Sequence, residues 1–206
     1  MRYRTQLLDR PASASKRGQG LVEFALLLPF LMLLLVGAIE SGFMFNSQIS
    51  LQYASREGAR VGASLVNGGG QLGCGGGQSP NAGSVDPQII QSVNRVLTSS
   101  GSPLAIAQVL EIRIFLATSS GGEVAGRVNV WLPTPGAGPV VDGRPLDFSQ
   151  SSLGWSACSR TYLQPADSVG VALRYRYHIR MPFLALAGVR TLTMNDATVM
   201  AMNPTS

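Results

Sequence analysis

Apolar positions in this chain first run without a break, then recur at helical spacing, and finally alternate. From Leu21 to Ile39 nineteen residues are apolar or small, with Glu23 the one exception. At about 1.5 Å of rise per residue they form a helix of roughly 28 Å, close to the thickness of a bilayer's hydrocarbon core. A helix packed on a soluble core keeps a polar face, and this run has none, so it predicts a membrane-spanning helix. Pro29 removes one backbone hydrogen bond inside it and predicts a bend. Past Ile39, Phe43, Ile49, Tyr53, Ala54 and Val61 recur near helical spacing. The helix is therefore expected to continue to about Leu65, roughly 65–70 Å in all, with one half in lipid and the other covering a folded domain. Glu40 falls at the outer edge of the apolar run, where a hydrated carboxylate is expected. Asn67 to Gly77, NGGGQLGCGGG, terminates the helix.

The remaining pattern predicts one helix and several strands. Asp86-Pro87 reads as an N-cap followed by proline at the first helical position. Ile89, Ile90, Val93, Val96 and Leu97 then share a face, giving a second helix of about 14 residues that ends near Gly101. Glu111 to Thr118 sets Ile112, Ile114 and Leu116 against Glu111, Arg113 and Phe115. Glu123 to Leu132 alternates around Val124, Val128 and Val130 after a Ser119-Ser120-Gly121-Gly122 turn. Thr134 to Ser159 is rich in proline, glycine and serine and reads as a long irregular loop. Ser168 to Arg180 is the clearest strand, with Val169, Val171, Leu173, Tyr175, Tyr177 and Ile179 on one face; Pro182 to Gly188 reads as a turn and Val189 to Ala201 as a closing strand. The fold class is α+β: the long N-terminal helix packed on an antiparallel sheet of three or four strands, with one short extra helix.

Charge fixes an orientation. The first 18 residues carry Arg2, Arg4, Arg10, Lys16 and Arg17 against Asp9, and show no hydrophobic periodicity. By the positive-inside rule this end is cytoplasmic and the C-terminal bulk is exported. Beyond residue 40, eleven arginines face eight carboxylates, too mild an excess to imply nucleic acid. The two cysteines, Cys74 and Cys158, both fall on the exported side, where a disulfide persists. A bridge would close a loop of about 85 residues and stabilise by at most about 4 kcal/mol on the chain-entropy model; the alternative is two separate buried thiols.

Catalytic chemistry finds little support. The only histidine, His178, shares a strand face with Arg174, Arg176 and Arg180, without the carboxylates or thiols that complete a metal site. That face reads as a solvated strand surface with Tyr175 and Tyr177 turned into the core, or else as a contact for an acidic partner or a neighbouring subunit. Gly154-Trp155-Ser156-Ala157-Cys158 misses the nucleophile-elbow pattern at its fifth position. The glycine run has no Gly-Lys-Ser/Thr and is not a phosphate loop. Neither an enzyme nor a cofactor is expected.

Glu23 lies two residues inside the apolar edge, where a carboxylate is costly unless it is paired or near the interface. It follows Arg17-Gly18-Gln19-Gly20 and precedes Phe24. At these residues the chain resembles the TadE/TadG-like family of Tad (Flp) pilus systems, relatives of type IV pilins. Ile39 to Ala63, with Arg-Glu-Gly-Ala-Arg at Arg56 to Arg60, looks like the family's stretch after the membrane, and Val171 to Pro204 like its closing strands. The resemblance implies a prepilin peptidase cut between Gly18 and Gln19, which makes Glu23 the fifth mature residue. Phe24, where major Flp pilins usually carry tyrosine, points to a minor pilin or pseudopilin. It also implies that Glu23 pairs with the α-amino group of a neighbouring subunit during assembly. The partners implied are the bacterial inner membrane, the peptidase, other pilin or pseudopilin subunits and the assembly platform, with no nucleic acid.

This gives a cytoplasmic leader at 1–18, a transmembrane helix at 19–40, its continuation at 41–66, a glycine-rich linker at 67–85 and an extracytoplasmic α+β domain at 86–206. Two other readings fit the apolar run. One is a secreted binding domain whose signal peptide is cut after Val36-Gly37-Ala38, although the run exceeds the usual 7 to 15 residues. The other is a permanently anchored sensor or scaffold domain. Mature N-termini at Gln19, Ile39 or Met1 distinguish the three.

Overall fold

Helix α1 spans Lys16–Ser64 in the computed structural model, which describes residues 16–65, 82–181, 188 and 190–203. Two compact units divide between Ser41 and Gly42. In the first, the apolar side chains from Leu21 to Leu35 are exposed, and an 18-residue window reaches a mean hydropathy of 2.5 with none of it buried. The helix continues through Pro29. Ser41 Oγ donates to the Gly37 carbonyl at 2.8 Å, keeping a polar group satisfied within the helix. Glu40, expected to be hydrated, is instead 6% exposed.

The second unit holds the rest of α1, helix α2 at Ala82–Leu97, and the strands β1 (Val109–Ala117), β2 (Glu123–Pro133), β3 (Val140–Val141), β4 (Arg144–Pro145), β5 (Phe148–Leu153), β6 (Ser168–His178) and β7 (Thr191–Ala201). Five of the strands form one antiparallel sheet in the order β5-β2-β1-β6-β7, and β3 and β4 pair separately. The architecture is the α+β class predicted, with more strands than the three or four expected. The missed strand, β5, is FSQSSL, whose polar side chains are exposed at the sheet edge and give no apolar alternation. It lies within the stretch expected to be irregular, as do β3, β4 and a short 3₁₀ turn at Ala157–Ser159.

The helices cover the sheet face that carries Val169, Val171, Leu173, Tyr175 and Tyr177, all buried. The spacing of Val, Leu and Tyr on β6 predicted this face, and the exposed alternates Arg174, Arg176 and His178 predicted the other. On α1 the buried face differs from the expected one. Phe43, Ile49 and Tyr53 are exposed, while Ser47, Leu51, Ala54, Ser55, Ala59 and Ala63 are buried. The reason is close approach: a Cβ on Gly58 would come within 2.7 Å of Val93 in α2 and 3.1 Å of Val171 in β6, and one on Gly62 within 3.1 Å of Ile89 and 3.3 Å of Val169. Helix, helix and strand meet where α1 has no side chain. Gly58→Val is therefore expected to destabilise the fold by about 1–3 kcal/mol through overpacking, read as a lower thermal midpoint. An unchanged midpoint would show that the three elements can move apart freely.

Four other expectations are corrected. Asp86 is not a cap: α2 begins at Ala82, so residues 82–85, assigned to the linker, are helical, and Asp86 is buried on the helix's inner side. The helix also ends at Leu97 rather than near Gly101. On β2 the buried side chains are Asn129 and Trp131, one step out of phase with Val124, Val128 and Val130. Phe115, placed among the polar alternates of β1, is 2% exposed, because its ring lies over Gly170 of β6, its register partner. Residues 66–81, including most of the glycine-rich linker and Cys74, and the 182–187 part of the expected turn lie outside the described residues.

Candidate functional site

The residues singled out at the N-terminus sit on one stretch of α1. Glu23 faces outward and accepts a hydrogen bond from Gln19 Nε2 at 3.3 Å, an i,i+4 contact on an exposed surface. Phe24 is exposed beside it. Gly18 and Gly20 have nothing within 4 Å of where a Cβ would sit, so their backbone is open to a close-approaching partner. The helix thus brings Gly18, Gln19, Glu23 and Phe24 together within two turns, without supplying Glu23 a cation of its own among the described residues.

Farther along α1, the Arg56 to Arg60 signature separates into two jobs. Gly58 and Ala59 are buried and make the close packing described above. Arg56 and Arg60 are exposed, and Arg60 donates through Nε and Nη2 to both carboxylate oxygens of Glu57, at 2.9 and 2.6 Å. That fork-shaped hydrogen bond holds the Glu57 carboxyl below its ordinary pKa. One helical turn earlier, Ser55 Oγ donates to Asp196 on β7 and lies 2.9 Å from Thr198 Oγ1, tying the buried face of α1 to the edge strand.

Sequence reasoning missed a buried polar cluster. Arg160, 2% exposed, places Nη2 2.6 Å from Asp86 Oδ1, and its guanidinium carbon lies 4.4 Å from the centre of the Trp155 ring. The approach to Oδ1 is an ion pair off the line of an N–H bond, and Nη2 also donates to the Trp155 carbonyl at 3.2 Å. Asn129 Nδ2 donates to Asp86 Oδ2 at 2.6 Å and to the Trp155 carbonyl at 2.7 Å, while its Oδ1 accepts from the amides of Gly154 and Trp155. The whole hydrogen-bonding capacity of that amide is used. Three distant segments, α2, β2 and the loop after β5, are joined at one point, which explains why β2 turns Asn129 inward. The signals were an aspartate before a proline, an asparagine in a strand and an arginine in a loop, none of which points to the others.

Ser156, the serine of the rejected elbow pattern, caps the 3₁₀ turn by accepting the Cys158 amide hydrogen. Cys158 is half-buried and disulfide-bonded. On β6, Arg174 pairs with Glu111 at 3.0 Å, and Arg180 lies 4.9 Å from the centre of the Phe43 ring. Tyr175, inward as predicted, donates to Gln108 and accepts from the Ala105 amide; burial pushes its hydroxyl pKa up.

An exposed apolar helix opening on Gly18, Gln19 and Glu23, and closing on a glycine that seats a sheet, is the geometry on which the comparison falls. Residues 18–60 match the family of TadE-like proteins. Over these residues the helix is similar to that family. The match covers every N-terminal residue singled out above and the whole Arg56 to Arg60 signature, and ends before the rest of the domain. No curated protein and no solved structure matches the chain. The TadE-like stretch therefore contains both the apolar half of α1 and the turn where Gly58 seats the helix on α2 and β6. Its apolar part is of a length and composition to cross a membrane once.

Proposed function

We propose that the protein is a minor pilin or pseudopilin of a Tad-type pilus, held in the bacterial inner membrane by α1 with its N-terminus cytoplasmic and its α+β domain outside. The single observation that carries this reading is the TadE-like match on a helix whose apolar side chains find no cover within the fold. A prepilin peptidase cuts between Gly18 and Gln19, and the released α-amine and Glu23 then serve assembly with neighbouring subunits and the assembly platform. The protein is a substrate of catalysis and a structural component, not a catalyst. The five cations of the leader against one carboxylate support the orientation.

Outside the membrane, a Cys74–Cys158 bridge is part of the same reading. It ties the segment after α1 to the loop that Arg160 and Asn129 already hold. Export to an oxidising compartment is the condition for it.

The test is Gly18→Ala. A peptidase must bring its own backbone or side chains against the open glycine, and a methyl group there intrudes. Maturation should be blocked, leaving only the full-length form on a gel of membranes from cells with a working Tad system. A variant that still shifts to the shorter form would place the cut elsewhere.

A further inference from the structure

The β6–β7 hairpin carries charge that the assembly reading does not use. No aspartate or glutamate occurs between Asp167 and Asp196, a stretch with Arg174, Arg176, His178, Arg180 and Arg190. Arg174 is taken up by Glu111, but Arg176 and Arg190 form no ion pair among the described residues, and Arg176, His178, Arg180 and Arg190 are all exposed. The Ile179 amide donates to the Arg190 carbonyl at 3.0 Å, and His178 registers with Thr191, so the cations of the two strands meet at the same end of the hairpin.

That end is tied through the chain to the residues that follow the apolar run. Arg180 stacks on Phe43, and Phe43 follows Ile39 by four residues, about 6 Å of helical rise and at most about 14 Å of chain. The headgroup layer beyond the hydrocarbon core is itself about 5–7 Å deep. Exposed Phe43 lies against Arg180, and exposed Leu192 follows Thr191, the register partner of His178. The nearest carboxylate along α1, Glu40, is buried. Cations interspersed with aromatic and aliphatic side chains are what an interfacial surface presents to lipid.

We propose that Arg176, Arg180 and Arg190 form a collar that binds anionic phospholipid headgroups on the outer face of the membrane that α1 enters. The choice of lipid over an acidic protein rests on charge complementarity at this distance from the apolar run. It depends on the anchoring reading above. The collar would fix the domain close to the bilayer until subunits leave it.

The full chain in detergent micelles is titrated with phosphatidylglycerol or phosphatidylcholine, and bound lipid is counted by native mass spectrometry. Phosphatidylglycerol should bind at least tenfold more tightly, since each arginine near an anionic surface contributes about one factor of five to ten. R176Q/R180Q/R190Q should lose that preference, R176K/R180K/R190K should keep most of it, and R127Q/R144Q, which removes two exposed arginines elsewhere, should leave it unchanged. A preference that survives the triple glutamine variant belongs to the basic leader and overturns the proposal. So does equal affinity for the two lipids, or displacement by millimolar glycerol phosphate, which would make the surface a soluble-anion site. Anchoring is checked separately by extraction at alkaline pH: a chain released from the membrane refutes the anchor, while a retained chain without headgroup preference refutes the collar alone.

Discussion

Replacing Asp86 by alanine is expected to lower the stability of the folded domain by about 3–5 kcal/mol, the cost of leaving one partner of a buried ion pair without the other. Arg160 is 2% exposed, and its Nε and Nη1 already lack hydrogen-bond partners among the described residues. Removing the carboxylate takes away its counter-charge and one acceptor of Asn129 together. The loop carrying Trp155 and Cys158 should loosen as a result. Denaturant unfolding of the chain in detergent measures the loss, and a double variant, Asp86→Leu with Arg160→Met, should be less destabilised than Asp86→Ala, because two well-packed apolar groups remove the uncompensated charge. A loss below about 1 kcal/mol for Asp86→Ala would mean that the guanidinium reaches solvent in the folded state.

The second large effect is on assembly. If Glu23 pairs with the α-amine of a neighbouring subunit, Glu23→Gln leaves that amine without its counter-charge in a low-dielectric site. An uncompensated buried charge costs several kcal/mol, and about 1.4 kcal/mol corresponds to a tenfold loss in association. Cleaved protein should then accumulate in the membrane while its share in sheared filaments or cross-linked complexes falls at least tenfold. Within the single chain Glu23 meets only the neutral amide of Gln19, at 3.3 Å on an exposed surface, so the substitution should not disturb the fold. Incorporation at the wild-type level with cleavage intact would reduce Glu23 to a bystander and leave helix packing as the basis of assembly.

Much of this was readable from residue order because it rests on local repetition. The apolar run from Leu21 to Ile39 needs no tertiary contact to declare itself. The alternation of Val169, Val171, Leu173, Tyr175 and Tyr177 against arginines places β6 and both of its faces. What failed depends on groups distant in sequence. Asp86 before a proline has the local signature of a cap, and Arg160 and Asn129, brought in from a distant loop and strand, make its burial inside α2 tolerable. Asn129 turns inward against the valine pattern of β2 because four hydrogen bonds wait for it there. The exposed Phe43, Ile49 and Tyr53 misled for the opposite reason. At helical spacing large apolar residues suggest the packed face, yet the elements approach so closely that glycine, alanine and serine occupy it. The Arg56 to Arg60 signature was recognisable as a pattern. That its glycine is the contact with α2 and β6 became visible only in three dimensions.

Sequencing the N-terminus of the protein recovered from membranes of its own host tests the central claim most directly. A mature chain beginning at Gln19 is the predicted result, with Glu23 then its fifth residue. A chain beginning at Ile39 would make the apolar run a signal peptide and the domain a secreted one. A chain that keeps Met1, recovered from cells with an active prepilin peptidase, would make it a permanent anchor and contradict the pilin reading.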